Sequence, residues 1–139
     1  MKNLLSRSAK VIELYPSLGY EGFRYRCDQF FDEVGWCNQQ TKLLGHQGQF
    51  EVQTTISYFI HKSADRVVFS GSLKHSAETW GAELGLASYV SNGSAILGAI
   101  LSGYTPEIVS GSSRCYLHWL SIYTHEGLSF GAIAQEGQQ

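Results

Sequence analysis

A chain of 139 residues, 43% apolar and 16% charged, suits one domain spanning 1–139 and can bury a core without metals or disulfides. Its charged share falls below the roughly 25% of typical soluble domains, which points to a surface partly covered by a second copy of the chain, a homodimer. The net charge of −2 leaves no basic footprint for nucleic acid, and the 3 cysteines (Cys27, Cys37 and Cys115) include no Cys-x-x-Cys pair, which predicts free thiols in a reducing, cytoplasmic compartment.

The chain opens on "MKNLLSRSAKVIELYP". Ser6, Arg7, Ser8 and Lys10 interrupt any apolar run, so a short amphipathic helix is expected here in place of a secretory leader. Leu4, Leu5, Val11, Ile12 and Leu14 supply its apolar side, and Pro16 stops it. In "YEGFRYRCDQFF", Phe23, Tyr25, Cys27 and Phe31 share one parity, with Arg24, Arg26 and Asp28 on the other, which predicts a half-buried strand. "DEVGWCNQQTKLLGHQG" then reads as a long polar connection of functional length.

"QFEVQTTISYFIH" alternates again. Phe50, Val52, Thr54, Ile56, Tyr58 and Ile60 are expected to face a core, and Glu51, Gln53, Thr55, Ser57 and His61 the solvent. "KSAD" would turn the chain into a partner strand, "RVVFSGSL". Next, Ser76 is a plausible N-cap with Glu78 in the first turn, and Leu86, Val90, Gly93, Leu97, Ile100 and Tyr104 recur at helical steps. Residues 84–106 carry no charge, which gives one long helix over about 76–103 that "SNGS" can break or bend, ending at "YTP". The run holds too many serines for a good membrane span, so it reads as a core helix. Its small residues, Gly81, Gly85, Ser88, Asn92, Ser94, Gly98 and Ser102, would let another backbone approach. "SSRCYLHWLSIYT" and "LSFGAIA" complete the pattern as strands.

The predicted fold is α+β: an antiparallel sheet of about five strands packed on one long helix, with a short N-terminal helix. The candidate chemistry clusters at the expected start of that helix. His75 can act as general acid or base with Glu78 or Glu83 as its orienter, beside free helix N–H groups and Trp80. Arg24, Arg26, Trp36 and His118 are further candidates for holding a small anionic or acyl ligand. The histidines have no zinc-type spacing, the glycines form no phosphate loop, and no Gly-x-Ser-x-Gly elbow occurs, so neither metal nor cofactor is expected.

Two resemblances of layout accompany this reading. Gly19, Tyr20, Gly22 and Phe23 resemble the Gly-Tyr-x-Gly-aromatic turn of Rad52-type strand-annealing proteins. That likeness implies DNA held by basic residues on the long helix, which carries none here. A helix wrapped by an antiparallel sheet is similar to the hotdog thioesterases, which implies ester hydrolysis at His75 with Glu78 or Glu83, although Ser76 and Ala77 stand where that family has His-Gly-Gly. The function expected from the residues themselves is a self-associating module that binds a small ligand or a protein partner.

Overall fold

The predicted long helix over about 76–103 is two helices. In a computed structural model, which describes residues 3–24, 33–62 and 65–119, α4 (Ser70–Leu84) ends at Gly85 and α5 (Asn92–Leu101) begins seven residues later, after an irregular strap. The break lies before "SNGS", not within it. Gly85 takes φ 73, the left-handed conformation that closes a helix and that side chains resist, and the Ser91 hydroxyl accepts the Ser94 amide as N-cap of α5.

α5 is the centre of the molecule. Every one of its residues is buried, and it packs against α3 (His46–His61), α4, α1 (Leu4–Leu14) and strands of both sheets. An uncharged helix needs this enclosure on all sides. Among the described residues no helix is long and apolar enough to cross a membrane. The apolar surface of α5 is therefore covered by the chain itself.

α1 forms as expected, but its buried stripe is Leu4, Ser8 and Val11, and Leu5 and Leu14 face solvent. The sequence after it folds into a hairpin with two-residue strands, β1 (Leu18–Gly19) and β2 (Gly22–Phe23), turning at Tyr20 and Glu21. The remainder of the predicted first strand, with Arg26, lies in residues 25–32, outside the described residues.

The predicted loop is instead a helix, α2 (Glu33–Leu44), with Glu33 in its first turn and Lys42 in its last, as the helix dipole favours. Only Trp36 and Leu43, seven apart, are buried on it, too few to announce a helical stripe. The clearest predicted strand is also a helix, α3. Phe50 and Ile60, assigned to the core, are 36% and 50% exposed, and Glu51 and Thr55, assigned to solvent, are fully buried. Val52 and Ile56 satisfy both periods, so the alternation was an accident of β-branched residues on a helix.

The partner strand stops early: β3 (Val67–Phe69) runs straight into α4 at Ser70. β4 (Tyr104–Ile108) and β5 (Cys115–Trp119) complete a three-stranded antiparallel sheet in the order β3-β5-β4. Pro106 is tolerated because β4 is an edge strand. The architecture is thus α+β with five helices and two small sheets among the described residues, not one five-stranded sheet on one helix. The predicted strand "LSFGAIA" falls outside the described residues.

Two of the small residues expected to allow close approach do so, and Gly85 does not. Gly98 stands against Thr55, whose Cβ would lie 2.6 Å from a side-chain carbon there, and Gly81 against Thr54. Gly85 has nothing within 4 Å. Gly85→Ala should therefore cost only about 1 kcal/mol, from positive φ and not from crowding, and Gly85→Asn less. Urea midpoints of the two variants check this.

Candidate functional site

α3 and α4 lie side by side because Gly81 has no side chain. A Cβ there would strike the Ala87 carbonyl and come within 2.8 Å of Thr54 Cγ2. That approach brings Trp80 of α4 against the end of α3. His61 stacks on the indole at 5.6 Å and 25°, Tyr58 meets it edge-on at 6.5 Å, and the Lys62 ammonium lies 5.3 Å from the ring centre. The indole N–H is buried and has no acceptor among the described residues.

The two helices leave an open groove of about 450 Å³ lined by Tyr58, Lys62, His75, Ser76, Thr79, Trp80 and Glu83. The α4 positions fall at steps of four and one, a single helical face, and Tyr58 and Lys62 are four apart on α3. Of the candidates named from sequence, the fold brings His75, Trp80 and Glu83 together here.

The helix-terminus chemistry expected for them does not exist. α4 starts at Ser70, so His75, Ser76 and Glu78 sit inside the helix and no free amides point at the groove. The misreading followed the polar residues Lys74, His75 and Ser76, which are the solvent face of α4 and not its start. His75 is 79% exposed, with Nδ1 3.3 Å from Glu78 Oε1. Glu78 looks the other way: its Oε2 accepts from Lys74 Nζ at 2.8 Å and from the Val90 amide at 3.1 Å. Burial pushes its carboxyl up, but Lys74, the Val90 amide and His75 together outweigh that and hold it below its ordinary value.

The other candidates serve elsewhere. Trp36 is buried, donates from Nε1 to the Pro16 carbonyl at 3.3 Å, and packs where Gly19 leaves room. Arg24 lies over that ring at 5.3 Å and pairs with Glu33 at 3.3 Å. His118 is on β5, with Nε2 2.7 Å from Glu107 Oε1 across the sheet. No group of three potential ligands for a metal occurs among the described residues. Comparison with protein-family models, with curated proteins and with solved structures yields no match.

Sequence reasoning missed Tyr58 and His61, on the segment read as a strand, and Lys62, in the turn read after it. It also missed the polar hub under α5. Glu51 is fully buried and accepts from Tyr20 Oη at 2.7 Å, Gln47 Nε2 at 2.9 Å and the Ser91 amide at 2.8 Å. These contacts tie α3 to the hairpin turn and to the N-terminus of α5. Desolvation and the neighbouring Glu51 raise the Tyr20 phenol well above its usual value, so it stays a donor. The signal available in the sequence was the acid itself, alone in a run of apolar and β-branched residues.

Proposed function

We propose that the protein is a cytoplasmic binding module whose α3–α4 groove takes a small ligand carrying a flat ring and an anionic group. The observation that carries this reading is the Trp80 ring with the Lys62 ammonium 5.3 Å from its centre, in a groove open to solvent. The Trp80 and Tyr58 rings line the groove, Lys62 and the His75 imidazole can meet an anion, and Ser76 adds a hydroxyl. The thiols agree with a reducing setting: Cys37 is exposed and free, and the free Cys115 is buried, which pushes its thiol up to about 12 despite a lowering hydrogen bond with Ser70.

Hydrolysis at His75 is the alternative reading, favoured by its contact with Glu78. A hydrolase needs an enclosed acyl site and an acid free to orient the histidine, whereas the groove is open and Glu78 is engaged by Lys74 and Val90. Titration with indole-3-acetate, benzoate, inorganic phosphate and an acyl-CoA ester, followed by the Trp80 indole signal in NMR spectra, decides between them. Aromatic carboxylates should bind, and Lys62→Ala should weaken them by about 1–2 kcal/mol, the value of one charged contact. Turnover of the ester lost in His75→Ala would support the hydrolase. Saturable binding that leaves Trp80 unmoved would place the site elsewhere.

A further inference from the structure

The groove between α3 and α4 holds two opposite charges that do not meet. Lys62 stands at the C-cap of α3 and Glu83 in the last turn of α4, and both line the same opening. Both are exposed, and among the described residues neither forms an ion pair, with the other or with a third group. The charges beside them are already engaged. Lys74 and His75 both turn to Glu78, at 2.8 Å and 3.3 Å. Thr79 is spent as well, its hydroxyl donating to the His75 carbonyl at 3.1 Å.

Trp80 fixes where the two free charges lie. The Lys62 ammonium is drawn over the indole, 5.3 Å from its centre, and not toward Glu83. Glu83 follows Trp80 by three residues, so it stands on the same face of α4, roughly 4.5 Å further along the axis. An ammonium and a carboxylate held apart in this way, each left to water, complement a ligand that carries the same two charges on one small framework.

We propose, on the footing that this groove is the binding site, that its ligand is a zwitterion: an α-amino acid with an aromatic side chain. Its carboxylate meets Lys62, its ammonium meets Glu83, and its ring lies among Tyr58 and Trp80. The two charges select as well as attract. A plain aromatic carboxylate gains Lys62 but is repelled by Glu83, and a plain amine meets the reverse. Only a ligand with both charges avoids a like-charge contact. The groove volume of about 450 Å³ suits a molecule of this size. Glu83 is on this account a binding residue and not the orienter of His75, whose imidazole turns to Glu78 instead.

Titration of the isotope-labelled full chain, followed at the Trp80 indole N–H by NMR, tests this with three compounds of one framework. L-tryptophan has both charges, indole-3-propionate lacks the ammonium, and tryptamine lacks the carboxylate. L-tryptophan should bind about fivefold more tightly than either relative, the size of one exposed charge pair. Glu83→Gln should bring L-tryptophan down to the level of indole-3-propionate and leave indole-3-propionate itself no weaker. Glu83 is exposed, so the substitution disturbs no packing. Indole-3-propionate or tryptamine matching L-tryptophan in the natural chain would overturn the zwitterion while leaving the groove as a site. So would a Glu83→Gln variant that loses both L-tryptophan and indole-3-propionate alike. Failure of all three compounds to bind would remove the groove as a site, and the proposal with it.

Discussion

Glu51→Ala will destabilise the protein by about 3–5 kcal/mol, because the Tyr20 hydroxyl and the Ser91 amide are left as buried donors with no acceptor, at about 1–3 kcal/mol each, and a cavity is added. The loss should exceed that of any exposed carboxylate in the chain. Glu51→Gln keeps the volume and one carbonyl acceptor, and should recover part of it. Urea denaturation followed by circular dichroism measures both. A loss below about 1 kcal/mol in the alanine variant would mean that water reaches this hub and satisfies the donors.

Gly93→Ala will cost more than about 3 kcal/mol or prevent folding, since the added carbon meets backbone that has nowhere to go. It would strike the carbonyl of Gly19 and lie 2.6 Å from that of Tyr20. The amide of Gly93 already donates to the Tyr20 carbonyl at 2.9 Å, so hairpin and helix are locked face to face. The crossing is fastened a second time by Asn92, whose Nδ2 donates to the carbonyls of Ser113 at 2.9 Å and Glu21 at 3.2 Å. Thermal unfolding of Gly93→Ala beside Gly85→Ala gives the contrast directly: one glycine is needed for space, the other for its backbone angle. Equal melting temperatures would show that the hairpin does not pack on α5 in this way.

The candidate site was legible only in half. His75, Trp80 and Glu83 come from one helical face, and a correct helix over residues 70–84 places them together whatever surrounds it. Tyr58, His61 and Lys62 were out of reach because a strand would have sent Tyr58 and His61 to opposite faces, whereas a helix brings residues three and four apart to one. The confusion at 50–61 has a physical source. Val52, Thr54, Thr55 and Ile56 favour extended backbone by their branching, and nothing local opposes it. α3 is helical because that conformation buries Gly48, Glu51, Val52, Thr55 and Ile56 against α5 and its neighbours.

What the sequence determined by itself is the nature of its central element. Residues 92–101, uncharged and dotted with Ser and Gly, had to be enclosed by protein, and α5 is enclosed completely. It also determined the first helix and the strand at Cys115–Trp119, because each rests on near neighbours in the chain: helical spacing stopped by a proline, and alternation along a strand. Only the tertiary structure decided what encloses α5. A buried helix states that it must be covered but not by what, and three-, four- and two-residue periods overlap in short segments such as 33–44 and 50–61. The choice between them is made by contacts 30 to 40 residues away in sequence, as from Glu51 to Tyr20 and to Ser91, which no local pattern records.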